Sequence, residues 1–339
     1  METALHNILE RVRAAAADAT PLRLCGGGSK DFHGLALEGT PLELRPLRGI
    51  ISYEPTELVV TARAGTPLQE LQATLAQAGQ ALAFEPPHFA LGDKQPTVGG
   101  MVAAGWSGPA RASSGAVRDF VLGVEIINGR GELLRYGGQV MKNVAGYDVS
   151  RLMAGSWGTL GVITEVSLKV LPVAPAQATL VFAMNEAQAL EALNRWGGQP
   201  LPLNASCWAQ GQLWLRLCGA QAAVQAACQK LGGERLPDDQ AAALWHSLRE
   251  QQHPWFAARS DADALWRLSL PQTAAPLALP EGLAAPLIEW HGAQRWANQA
   301  RCCPPRLRHR PAAWSSVWRS PPSFWQSARP AAWAPHTRS

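Results

Sequence analysis

Asp148-Val-Ser-Arg-Leu-Met-Ala-Gly155-Ser-Trp-Gly158-Thr-Leu-Gly161-Val-Ile-Thr164 is the stretch that decides the fold. A short amphipathic run (Val149, Leu152, Met153) leads into three glycines at a spacing of three. The chain then enters an apolar, β-branched strand from Val162 to Val170. Glycines so placed permit positive φ and strip Cβ atoms from one side of the turn, which lets a flat ligand or another backbone approach closely. Taken alone, the segment also fits an ordinary helix-to-strand turn.

Two more glycine-rich loops lie upstream. Arg23-Leu-Cys-Gly26-Gly27-Gly28-Ser29-Lys30 follows a β-like segment, and Pro96-Thr97-Val98-Gly99-Gly100 runs on through Gly105, Ser107 and Gly108. Thr97 stands as an N-cap ahead of small apolar residues. Backbone N–H groups bared by consecutive glycines, or aligned at a helix start, suit a pyrophosphate. Neither G-x-G-x-x-G nor a P-loop signature occurs, so a bound phosphate is expected on some other fold.

In this order the loops, with Ser114-Gly-Ala-Val-Arg118-Asp119 and Lys142-Asn-Val-Ala-Gly-Tyr147-Asp148 between them, resemble the FAD-binding domain of the vanillyl-alcohol oxidase/p-cresol methylhydroxylase family. The resemblance covers about residues 1–173. It implies an α+β flavin domain with FAD held by Gly26, Gly27, Gly28, Ser29 and Lys30 and by Thr97, Val98, Gly99, Gly100, Gly105, Ser107 and Gly108. Arg118, Asp119, Gly161, Val162 and Ile163 would lie along its adenine–ribose side, and Gly155 would also bind the cofactor; for Arg118 and Asp119 a surface ion pair is the alternative. In tethered relatives a histidine directly follows the glycine pair, where this chain has Gly28 or Ser29. Non-covalent FAD is therefore expected, with His33 a solvent-facing loop residue. Leu287-Ile-Glu-Trp-His-Gly-Ala-Gln-Arg-Trp296 narrows the resemblance to the small flavin-binding subunits of bacterial glycolate oxidases. Those imply a larger flavin subunit and an iron–sulfur subunit as partners, a 2-hydroxy acid as substrate, and membrane contact at most through partners. A self-sufficient 2-hydroxy-acid dehydrogenase and a non-catalytic structural subunit of the same fold are the alternatives.

Composition divides the chain. Of 31 glycines, 23 precede Val173, whereas 12 of 14 tryptophans follow Pro172. The expected organisation is a flavin domain over 1–173, a smaller cap-like α+β domain over 174–296, and an irregular tail over 297–339. That tail is rich in Pro, Arg and Trp, and its abrupt onset reads as a shifted reading frame. The formal charge is +4, but residues 301–339 carry seven arginines and no acid, so the rest of the chain is net acidic. No chain-wide basic surface for nucleic acid results. The N-terminus reads as an amphipathic helix (Leu5, Ile8, Leu9, Val12), not a leader, and no run approaches the length of a membrane span, so a cytoplasmic protein is expected.

Thr66-Pro67 is expected to open a helix through Ala78 with Thr66 as N-cap, and Asn128-Gly-Arg-Gly131 to join two strands as a hairpin. Strands are expected at Ala178–Met184, Leu213–Cys218 and Leu265–Leu270, with helices at Glu186–Trp196, Gln221–Leu231 and Asp239–Glu250. Six cysteines without a C-x-x-C pair give no metal motif, and Cys25 is expected to pack under the first loop. His246, His253 and His291 lack the spacing of metal ligands, so no metal is expected. No residue stands out as a catalytic base.

Overall fold

The computed structural model describes residues 3–34, 38–138, 147–258, 263–279 and 285–300; the tail from 301 and most of the Lys142–Asp148 motif lie outside them. The chain divides into two compact units. The first holds the residues up to Ser107 together with Gly115–Val173; the second holds Gly108–Ser114 and the chain from Ala174.

In the first unit, an antiparallel five-stranded sheet runs in the order Ile50–Glu54, Val59–Arg63, Val162–Lys169, Val121–Ile127, Leu133–Gly137. The Asn128–Gly131 hairpin joins the last two of these strands, with Asn128 Oδ1 accepting from the amides of Arg130 and Glu132. Leu68, Leu71 and Leu75, spaced to share one face of helix Leu68–Gln77, are fully buried. They pack with Val98, Met101 and Val102 of helix Val98–Ala104 and with Val60, Val124, Ile163, Val166 and Leu168 of the sheet. Helix Thr3–Ala17 buries Leu5, Ile8, Leu9 and Val12 in a separate cluster with Leu42, Leu47, Ile127 and Val162. A short parallel pair, Leu22–Cys25 with Thr40–Glu43, carries the first glycine loop. Thr66 does not cap its helix: its hydroxyl accepts from the Gly49 amide and donates to the Gly49 carbonyl, and Pro67 takes the cap position.

The second unit is built on a seven-stranded antiparallel sheet. Its order is Glu234–Arg235, Ala176–Ala183, Gln212–Gly219, Leu203–Ala209, Leu287–Glu289, Gln294–Ala300, Asp263–Ser269. Helices Glu186–Gly197, Gln221–Leu231 and Asp238–Arg249 lie within two residues of their expected limits. Four strands, Glu234–Arg235, Leu203–Ala209, Leu287–Glu289 and Gln294–Ala300, are not marked by their sequence pattern. The last carries regular structure four residues past Trp296, where the irregular tail was expected to begin.

Among the described residues no helix is long and apolar enough to cross a membrane. No group of three or more His, Cys, Asp or Glu residues there is placed to hold a metal ion. His246 is exposed, with Nδ1 near the Arg249 guanidinium, and buried His253 caps a short helix through Nδ1.

Candidate FAD-binding cleft

All three glycines of the deciding turn adopt left-handed φ, +85° at Gly155, +77° at Gly158 and +148° at Gly161, and Trp157 joins them at +52°. The turn is stitched to the end of helix Val98–Ala104. The Gly155 amide donates to the Val102 carbonyl and the Trp157 amide to the Ala103 carbonyl, at 3.0 and 2.9 Å. Gly105 packs so closely here that a Cβ would lie 2.7 Å from the Gly155 nitrogen.

The first loop needs its glycines for approach as much as for φ. A Cβ on Gly27 would fall 1.4 Å from the Gln95 carbonyl oxygen, and one on Gly26 would fall 2.8 Å from Thr97 Oγ1. Pressed against residues 95–97, the loop leaves the amides of Gly26, Gly27, Gly28 and Ser29 donating no hydrogen bond among the described residues. Four clustered donors of this kind suit an anion.

The start of helix Val98–Ala104 behaves differently. Val98 N–H donates to Thr66 O, Gly99 N–H to Ala64 O, Gly100 N–H to Thr97 Oγ1 and Met101 N–H to Thr97 O. Thr97 is the cap the sequence indicates, but the helix amides are already committed. What this segment offers a ligand is bare surface at Gly100, where a Cβ would meet only Thr97 Oγ1, at 3.0 Å. Gly99 is bare for another reason: its Cβ would lie 2.6 Å from that of Ala64.

Between the first loop and the helix lies an open cleft of about 930 Å³ counting its mouth. Of the residues anticipated for FAD, Gly26, Gly27, Gly28, Ser29, Lys30, Thr97, Gly99, Gly100, Gly161 and Ile163 line it. The rest are elsewhere. Val98 and Val162 are core residues, Gly155 holds the turn, and the Ser107 hydroxyl accepts from the Val117 amide. Asp119 accepts from the Ala116 amide and Arg118 is exposed, while the Gly108 carbonyl accepts from Trp290 Nε1 in the second unit. Sequence reasoning missed the apolar wall of Leu24, Leu44, Ala64, Ala103 and Ala104, which no motif marks.

It also misjudged His33 and Cys25. The His33 ring is half-buried, stacked on Trp157 with centroids 4.4 Å apart and edge-on to Trp106, in an aromatic cluster that includes Phe32 and Phe89. Cys25 is only half-buried, its thiol 3.4 Å from the Arg23 carbonyl. Lys30 brings positive charge to the cleft, its Nζ near Ser29 Oγ and the His88 carbonyl. Tyr147 is almost fully exposed.

Residues 5–137 match the family model described as FAD binding domain. The chain is 49% identical over 289 residues to the glycolate oxidase subunit GlcE of Escherichia coli (strain K12), covering 85% of this chain and 79% of that protein. It belongs to the GlcE-type FAD-binding proteins. Its cofactor is FAD, and the open glycine cradle fits the pyrophosphate of that dinucleotide. More distant relatives are the glycolate oxidase subunit GlcD of Bacillus subtilis (strain 168), 32% identical over 47% of this chain, and a D-lactate dehydrogenase of Anaerostipes hadrus, 33% identical over 46%. The chain spans about a third of the length of each of these two (32% and 31%). Among solved structures, an alkyldihydroxyacetonephosphate synthase superposes with a TM-score of 0.62 at 14% identity, covering 87% of this chain and 70% of that one, a likeness of fold.

Proposed function

We propose that the chain is the FAD-binding subunit of a glycolate-oxidising complex and takes part in the oxidation of glycolate to glyoxylate. The observation that carries this reading is the 49% identity to GlcE running through both halves of the chain, over 85% of its length. The other partners in this reading are a larger flavin subunit and an iron–sulfur subunit that accepts the electrons. The complex would work in the cytoplasm and reach the membrane through partners alone. Residues 1–173 are its flavin domain and 174–296 its cap-like domain.

Bound in the cleft, FAD supplies the acceptor for the two electrons of an alcohol oxidation. The chain's own residues bind and orient it. The Gly26–Ser29 amides would hold the pyrophosphate, and Lys30 would offset part of its charge. Leu24, Leu44 and Ile163 keep water from the planar parts. The FAD is non-covalent, since Gly28 and Ser29 occupy the tethering positions and His33 is engaged with Trp157. In this reading the chain passes electrons or supports assembly within the complex.

The test is an absorption spectrum of the purified chain, followed by anaerobic glycolate and D-lactate. The expected result is about one FAD per chain that neither acid bleaches until the partner subunits are added. Bleaching of the isolated chain would make it a self-sufficient dehydrogenase, and absence of flavin would make it a structural subunit.

A further inference from the structure

Five aromatic side chains gather beside the flavin cleft, drawn from four separate segments of the first unit. Phe32 and His33 follow the first glycine loop, Phe89 lies ahead of Pro96, Trp106 follows helix Val98–Ala104, and Trp157 belongs to the deciding turn. Trp106 is the hub. Its ring meets those of Phe32, His33, Phe89 and Trp157 at centroid distances of 5.7, 5.2, 5.4 and 5.4 Å. These pairs are edge-on or tilted, an arrangement that suits the ring quadrupoles. His33 and Trp157 meet differently, with centroids 4.4 Å apart and planes inclined by only 33°. Of the five, these two line the cleft.

The fold itself has little use for Trp157. Tryptophans such as Trp208, Trp245 and Trp296 are almost fully buried and fill cores, whereas Trp157 is 39% exposed. Its φ of +52° is left-handed, between Gly155 and Gly158, which adopt the same region without a Cβ to clash. Glycine or asparagine takes this conformation more readily than an indole-bearing residue does. The hydrogen bond that pins the position, from the Trp157 amide to the Ala103 carbonyl, is backbone to backbone and needs no particular side chain. A large apolar ring is thus kept on strained backbone, partly in the open, at the wall of a cleft. Strain of this kind persists where it serves a site.

We propose that Trp157, backed by His33 and Trp106, is the surface on which one of the two flat rings of FAD stacks. A pyrophosphate held by the first glycine loop leaves the adenine and isoalloxazine rings to extend from it along the cleft, and either one presents a π-face that an indole matches. His33 against its face and Trp106 against its edge hold the indole in one orientation before the ligand arrives, so little freedom is lost on binding. The inference rests on FAD as the cofactor and not on the identity of the acid oxidised.

The test is titration of the flavin-free full chain with FAD, beside melting of the same flavin-free samples. Trp157→Asn should weaken FAD about ten- to a hundredfold. It should nevertheless melt within a few degrees of the parent, because relief of the backbone offsets the lost ring contacts. Trp157→Phe, which keeps a stacking ring, should lose much less affinity than Trp157→Asn. Emission from the bound flavin names the ring. An indole in contact with isoalloxazine quenches it, so brighter emission in Trp157→Asn places that ring on Trp157, whereas weakened binding with unchanged emission places adenine there. Parental affinity in Trp157→Asn, equal losses in the two variants, or a Trp157→Asn chain that melts far below the parent overturns the proposal. A parent chain that takes up no FAD would refute the cofactor and the stack together; normal uptake that ignores Trp157→Asn refutes the stack alone.

Discussion

Gly99 and Gly100 are adjacent, yet the structure assigns them different work, and substituting each in turn tests that division. An alanine at Gly99 puts a Cβ 2.6 Å from the Ala64 Cβ and 3.1 Å from its Cα and carbonyl oxygen. Those atoms belong to backbone that is fixed by the Gly99 N–H to Ala64 O bond. Overpacking of this kind costs about 1–3 kcal/mol, against which removing a helical glycine returns roughly 0.5–1 kcal/mol. A net loss of about 1–2 kcal/mol should lower the melting temperature by roughly 2–8 °C for a unit of this size. At Gly100 an added Cβ would meet only the side-chain oxygen Thr97 Oγ1, at 3.0 Å, so a valine there should cost the fold less than the alanine at Gly99 does. The valine's branched side chain would instead stand in the cleft and should weaken FAD at least about a hundredfold, or about 2.8 kcal/mol. The assays are calorimetric melting of flavin-free protein and fluorescence titration with FAD. Parental FAD affinity in Gly100→Val, or flavin loss without destabilisation in Gly99→Ala, would refute the division.

Acid precipitation should release all the flavin into the supernatant; colour kept by the pellet would show a covalent link. Arg295 is wholly buried, with its guanidinium donating to the carbonyls of Ala274, Ala275 and Gly292 opposite Glu186, so Arg295→Met should cost about 3–5 kcal/mol in urea unfolding. Burial lowers the His291 pKa from 6.5 to about 4, so the unfolded chain takes up this proton first as pH falls. Stability present above pH 6.5 is then lost progressively down to about pH 4. His291→Asn, which tolerates left-handed φ, should flatten that loss by up to about 3 kcal/mol, and equal acid sensitivity in both proteins would count against the burial argument.

Features encoded within a few residues were legible in the sequence. The glycine spacing of 155–161 gave the left-handed turn, Thr97 gave its cap, and Asn128–Gly131 gave the hairpin. Thr66 fits the cap pattern equally well, but its hydroxyl is taken by Gly49, 17 residues earlier in the chain. In the same way the amides at the start of helix Val98–Ala104 suit a phosphate until Thr66 and Ala64 supply carbonyls for them. Gly108 sits inside the second glycine motif, yet its carbonyl goes to Trp290, 182 residues away. Strand Leu203–Ala209 escaped notice because its last five residues are all buried, which erases the alternation that marks a half-exposed strand. Arg111 and Arg267, which both lie against the Trp290 ring, belong with it to no short motif; only the fold collects them.

The sheet order of the first unit has a consequence for when the cleft comes into being. Strand Val162–Lys169 lies between Val59–Arg63 and Val121–Ile127, and it follows directly on the turn that contributes Gly161. Until it inserts, the hairpins at 50–63 and 121–137 have no hydrogen-bonded connection through the sheet. During synthesis the glycine loop at 26–29 therefore emerges more than a hundred residues before the strand that completes its opposite wall. Pairings across such separations form slowly, because the loop between them has to be closed first. The cleft is thus completed late in the synthesis of the domain, once strand Val162–Lys169 is in place.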